Sequence, residues 1–266
     1  MFSITTVSKC RIQEFDHEIQ KTNRIIILVA LLGIGVGAYL FFHQGKKAYD
    51  YSEFYVATDK EETITEKDPG LEDQVLSLDL LKKRNKDIVG IIEFDDRMIY
   101  EPIVQAPDNN YYVRRNIDLN YASAGITFVS GDGSINSTNV VVYGHSSTED
   151  NIIFTPLMNY LNKSFYNAHP IFHFITDTET REYQIVSVLN IDLNDRNDSL
   201  EFSKTEWRNK DSYSSFLESI KKNALYDTGT DVYSDDKLMT LVTCDTRDGS
   251  KRVIIIAKEV TNHEMQ

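Results

Sequence analysis

Hydrophobic and polar positions divide the chain into stretches of different character. From Ile25 to Phe42 eighteen uncharged residues follow one another (IIILVALLGIGVGAYLFF). That is long enough to cross a bilayer as a helix and too long for an ordinary buried one. Lys9, Arg11, Lys21 and Arg24 precede the run, and Lys46 and Lys47 follow it, a bias that predicts a cytoplasmic N-terminus. A cleaved signal peptide has a shorter apolar core and a small-residue cleavage site, and His43 to Lys47 offer none. The run is expected to be a retained single-pass signal anchor, with a cytoplasmic tail over 1–24 and the remainder outside the cell membrane.

Residues 43–70 are polar, acidic and closed by Pro69-Gly70, a pattern that predicts a stalk. Leu71, Val75, Leu78 and Leu81 then recur at helical spacing, predicting an amphipathic helix over 71–86. Its stripe lasts barely two heptads, so it docks on a domain rather than forming a coiled coil. From Asp87 onward short runs rich in β-branched residues alternate with turn residues: 88–94, 139–144, 183–189, 238–243 and 252–258. Several are almost continuously apolar, as strands of a closed or well-covered sheet are. Tyr213, Phe216, Leu217 and Ile220 mark one helix near 211–223. The expected architecture is mostly β: a closed barrel with an N-terminal helix and an inserted helix before the cysteine-bearing strand, preceded by one transmembrane helix. The domain is expected over 71–262, with a tail at 263–266.

Composition narrows the function. The length of 266 residues accommodates one sizeable domain plus appendages, and 41% hydrophobic content suits a packed core. A formal net charge of -13 excludes the basic footprint of a nucleic-acid binder. Two cysteines exist, Cys10 and Cys244, on opposite sides of the apolar run, so they are not expected to pair. Neither has a second cysteine nearby, which excludes CxxC-type zinc or redox chemistry. A lone cysteine in an exported domain is either a reactive thiol or a small buried hydrophobe, and the count alone leaves both open.

Candidate chemistry concentrates at three strand termini. Thr240-Leu241-Val242-Thr243-Cys244 is a strand pattern ending in a cysteine, and a strand end holds a nucleophile more rigidly than a loop does. Arg252 opens the strand Arg252 to Lys258, where a guanidinium can favour a thiolate and stabilise an oxyanion. By position alone it can equally be a solvated surface charge. His145 closes Asn139 to Gly144, and a cysteine enzyme needs an imidazole to move protons. Of six histidines, His17, His43 and His263 fall outside the β-rich domain, leaving His145, His169 and His173. His169 precedes Pro170 in a turn, and His173 alternates with apolar residues as a half-buried strand position does. Only His145 follows a strand and a glycine, although a lone strand-end histidine can also be structural.

Together these residues resemble the sortase family. TLVTC before a strand beginning KRVIIIAK, with NVVVYGH about a hundred residues earlier, reproduces three separated motifs in order. The likeness extends to class B sortases through DIVG at 87–90, YEPIVQAPDNNYYV at 100–113 and FTPLMNYLNKSFYNAHPIFHF at 154–174. The helix-bearing stretch 197–237 corresponds to the long insertion of that class. The resemblance covers about residues 71–261 and implies a cysteine transpeptidase of Gram-positive bacteria. It implies Cys244 as nucleophile, His145 as proton shuttle and Arg252, rather than Arg247 in the turn DTRDG, as the oxyanion donor. Asn109, Val242 and Thr243 match positions lining the sorting-signal groove, with Val242 standing where serine is commoner. The implied partners are exported proteins bearing a C-terminal sorting motif, and an amine of peptidoglycan precursor or of a pilin lysine as acceptor. No metal or organic cofactor is implied. Within the same chemistry, a peptidase using water is the alternative; a catalytically inactive, membrane-tethered binding module is the alternative outside it.

Overall fold

The computed structural model describes residues 30, 32–34, 48–57, 74–147, 152–195 and 200–260. The chain separates into two compact units, Met1–Gly45 and Lys46–Gln266. In the first, Ala30, Leu32, Gly33 and Ile34 are helical; the rest of the expected signal anchor, with the tail at 263–266, lies outside the described residues. Among the described residues, no helix is long and apolar enough to cross a membrane.

In the second unit eight strands close into a barrel. They are β3 (Ile88–Phe94), β4 (Tyr100–Gln105), β5 (Thr127–Val129), β6 (Asn139–Tyr143), β7 (Ile171–Ile175), β8 (Thr180–Asp192), β9 (Leu238–Cys244) and β10 (Lys251–Glu259). The order round the barrel is β10-β8-β7-β3-β4-β5-β6-β9, and the β9–β10 pair closes it. Neighbours are antiparallel except β4–β5 and β6–β9, which are parallel. Closure leaves no unpaired edge to template aggregation. Before the barrel, β1 (Tyr55–Ala57) and β2 (Gln74–Leu76) form a separate antiparallel pair.

The apolar runs read in the sequence are strands covered on both faces. Along β6, β9 and β10 alternate residues separate into two cores, because successive strand side chains point to opposite sides. Val140, Val142, Met239, Leu241, Val253 and Ile255 join the cluster inside the barrel. Val141, Leu238, Val242, Ile254 and Ile256 face outward into a second cluster. Its other half is the buried stripe Tyr213, Phe216, Leu217 and Ile220 of a helix, Lys210–Lys222. That helix starts where Asn209 and Ser212 form a reciprocal capping box, which satisfies two otherwise orphan backbone donors.

Two expectations about the N-terminal side need correction. Among the described residues the helix expected over 71–86 spans Leu78–Arg84; the Ser77 side chain caps it, accepting from the Leu80 N–H at 3.4 Å. Val75, read as part of its stripe, lies in β2, where pairing with β1 outcompetes helical spacing. The stalk expected over 43–70 is also too long. Phe54, 3% exposed, packs with Leu76, Leu81, Ile88 and Ile91. The Tyr49 hydroxyl donates to Asp118 at 2.8 Å. Residues 48–57 therefore belong to the folded domain, through four aromatics whose apolar content the surrounding polar residues masked. Residues 43–47 and 58–70 of that stretch lie outside the described residues.

Candidate active site

Strand parity alone brings three candidate side chains to one side of the sheet. Cys244 has the outward parity of Val242, Arg252 that of Ile254, and His145 continues the parity of Val141 and Tyr143. The topology then makes them neighbours. β6 and β9 run parallel with Tyr143 opposite Val242, so both strands end at the same rim. Arg252 is the direct cross-strand partner of Cys244. Opposed residues of an antiparallel pair have Cβ atoms roughly 4.5–5.5 Å apart.

Hydrogen bonds pin the histidine turn to the cysteine strand. The Gly144 N–H donates to the Val242 carbonyl at 3.1 Å, continuing the parallel ladder one step past Tyr143. The Thr243 hydroxyl donates to the Gly144 carbonyl at 2.9 Å. The buried Ser146 hydroxyl donates to the Cys244 carbonyl at 2.6 Å. His145 is thus held on both sides by bonds to residues 242–244, and its own carbonyl accepts from the Phe154 N–H at 3.0 Å.

Cys244, His145, Arg252, Asn109, Val242 and Thr243 all line one cleft of about 420 Å³. Its remaining walls are largely apolar, with contributions from Val113, Ile126, Phe128, Tyr143, Leu193 and Phe202. Cys244 is a free thiol, half-buried. Burial, and then the nearby Arg114 charge, hold the His145 imidazole below its ordinary pKa. A second, smaller cleft shares His145 and is lined by Arg114, Ser146 and Thr246.

The two arginines part company. Arg252 opens onto the cleft, and its Nη1 donates to the carbonyls of Gly249 at 3.0 Å and Lys251 at 2.8 Å. Arg247 spends its guanidinium on Asp245, through Nε at 3.0 Å and Nη2 at 2.6 Å. The other domain histidines lie elsewhere. His173 faces Glu182 across the β7–β8 pair at 3.5 Å, and the His169 ring packs tilted against Phe165, centroids 4.6 Å apart.

The groove candidates are engaged structurally as well. The Asn109 carbonyl accepts from the Ser130 hydroxyl and the Gly131 N–H, while its amide donates to Asp132 at 2.7 Å. Val242 is buried, and the Thr243 proton is committed to Gly144. Sequence reasoning missed Ser146, Arg114 and Asp245, since a hydroxyl or a charge beside a motif has no periodicity to mark it. It also missed why position 144 is glycine. A Cβ there would lie 2.4 Å from the buried Phe154 ring. Gly144→Ala is therefore expected to force that ring and the histidine turn apart, costing about 1–3 kcal/mol of stability. Thermal unfolding beside peptide turnover checks this, and an unchanged midpoint would refute the steric reading.

Comparison with known proteins bears on the family and the fold. The sortase domain model matches residues 102–260. The chain belongs to the sortase family. Sortase B of Listeria monocytogenes is 32% identical to this sortase over 185 residues, spanning 68% of this chain and 73% of that one. Sortase B of Staphylococcus aureus is 28% identical over 182 residues, spanning 67% and 72%. Among solved structures, Clostridium perfringens sortase B superposes with a TM-score of 0.64 at 28% identity, covering 70% of this chain and 100% of that one. A Staphylococcus aureus sortase B–substrate complex matches with a TM-score of 0.62 at 28% identity, covering 70% and 85%. The fold is the sortase B barrel, and the family chemistry is that of cysteine transpeptidases.

Proposed function

We propose that this sortase cleaves a C-terminal sorting motif of exported proteins and transfers the acyl fragment to an amine of peptidoglycan precursor. The observation that supports it best is the convergence of Cys244, His145 and Arg252 on one apolar-walled cleft at a single barrel rim. In this reading the Cys244 thiolate adds to the carbonyl of the motif's scissile peptide. The tetrahedral oxyanion accepts hydrogen bonds from Arg252; losing such a donor typically costs roughly 100- to 1,000-fold. His145 protonates the departing amine, leaving a thioester on Cys244. It then removes a proton from the acceptor amine as that amine attacks the thioester carbonyl and expels the thiolate. Val113, Leu193 and Phe202 would receive uncharged residues of the motif upstream of the scissile bond. The apolar run at 25–42 would tether the domain to the outer face of the cell membrane, where both substrates are present.

The test is to incubate the full-length chain in detergent with candidate sorting peptides, with and without an amine acceptor, and to identify products by mass. Amine-dependent ligation product supports transpeptidation onto an amine. Cleavage that yields only free acid, whatever amine is supplied, would refute it and favour a peptidase of the same fold. Preference for a pilin lysine over peptidoglycan-type amines would redirect the acceptor assignment to pilus assembly.

A further inference from the structure

Between the cysteine strand and the arginine strand lies a six-residue turn, from Asp245 to Ser250, built around one buried carboxylate. The Asp245 side chain is 1% exposed, whereas its partner Arg247 is 62% exposed. Asp245 Oδ1 accepts from the Arg247 N–H at 2.9 Å and from Arg247 Nε at 3.0 Å. Oδ2 accepts from Arg247 Nη2 at 2.6 Å and from Asn190 Nδ2, on β8, at 3.0 Å. A carboxylate has about four lone-pair sites, so these donors saturate it. None is left for the His145 imidazole.

The backbone of the turn follows from that clasp. The Asp245 N–H donates to Lys251 O at 3.0 Å, the Asp248 N–H to Asp245 O at 3.2 Å, and the Lys251 N–H to Asp248 O at 2.9 Å. The carbonyls of Gly249, in the turn, and Lys251, opening β10, are two acceptors that hold the Arg252 guanidinium. A chain of contacts thus leads from Asp245, next to the nucleophile, round the turn to the arginine opposite it.

We propose that Asp245, clasped by Arg247 and Asn190, is a positioning residue that sets the Arg252 guanidinium relative to Cys244. It acts on the reaction only through Arg252, and Arg247 serves it as the outer half of the clasp. The inference rests on Arg252 being the oxyanion donor of the function proposed above. The charge it needs is present at neutral pH: Arg247 holds the Asp245 carboxyl down to about 2 from its ordinary value of 3.8. The clasp's contribution to stability is complete above about pH 4 and is lost as the pH falls through about 2, because the unfolded chain takes up the proton first.

The experiment is a set of double-mutant cycles on the full-length chain. Asp245→Asn, Arg247→Gln and Arg247→Lys are made alone and in an Arg252→Lys background, and kcat, KM, the pH profile and the unfolding midpoint are measured. Asp245→Asn and Arg247→Gln should each lower kcat by roughly 10- to 100-fold, the scale of a misplaced catalytic group, with KM little changed. Arg247→Lys, which keeps a cation on Asp245, should recover most of that loss. In the Arg252→Lys background neither change should lower kcat further, because the group through which they act is already lost. Full additivity there, in folded protein, overturns the proposal. A shift of the acidic limb of kcat/KM in Asp245→Asn overturns it too, since that would make Asp245 a partner of His145. Should Asp245→Asn fail to fold, Arg247→Gln carries the test from an exposed position. If Arg252→Lys alone leaves kcat unchanged, the failure lies in the role given to Arg252 and not in the clasp.

Discussion

Replacing Cys244 with alanine is expected to abolish turnover and to leave the barrel folded. Loss of the nucleophile from a unit that performs acyl transfer costs on the order of a millionfold in kcat. The structural cost is small by comparison. Cys244 is half-buried at the end of β9, and deleting one sulfur removes about 1 kcal/mol of burial at most. The bond that ties the histidine turn to this position survives, because Ser146 donates to the Cys244 backbone carbonyl rather than to the thiol. Peptide cleavage followed beside thermal unfolding checks both halves. Substantial cleavage by the folded variant would remove Cys244 from the mechanism.

His145→Gln is the second large effect, a loss of roughly 100- to 10,000-fold, the usual contribution of a general acid–base. Its signature lies in the pH profile. Burial and Arg114 depress the imidazole below its ordinary value of 6.5, so in the native enzyme the limb of kcat/KM that rises with pH should lie below 6.5. Below that limb His145 carries a proton in excess of the one the reaction passes to the leaving amine; above it the excess proton is gone. The variant should lose this limb, and Arg114→Gln should move it upward by removing a like charge. The same depression has a stability consequence of opposite sense to a salt-bridged histidine. Stability is complete above about pH 6.5 and declines as the pH falls toward the folded value, because the unfolded chain binds the proton first. A limb unchanged in His145→Gln would make the histidine structural and return His169 and His173 to consideration.

Much of this site was legible from the chain because strands encode direction in alternation. The runs ending at Tyr143 and Cys244, and the run beginning at Arg252, set the parity of each candidate side chain, and the β-branched density identified strands covered on both faces. Helix 210–222 was visible through its apolar stripe, within a residue at each end. Local signals of this kind are carried by neighbours a few positions apart, so any fold containing the segment retains them.

What the tertiary structure decided are the non-local choices. No pattern in the sequence states that β6 lies parallel to β9, yet that pairing lets the Thr243 hydroxyl hold Gly144 from 99 positions away. Arg247 and Arg252 differ in the sequence only by their place in turn or strand, whereas the fold puts the Asp245 carboxylate on Arg247 and Arg252 on the cleft. Residues 48–57 read as stalk because their aromatics sit among polar residues, and only the β1–β2 pair and the pocket around Phe54 make them part of the domain. Gly144 needed the Phe154 ring beside it to explain its missing side chain. Periodicity reports which face of an element is apolar, whereas barrel closure determines which elements meet, and that depends on free energies summed over contacts distant in the chain.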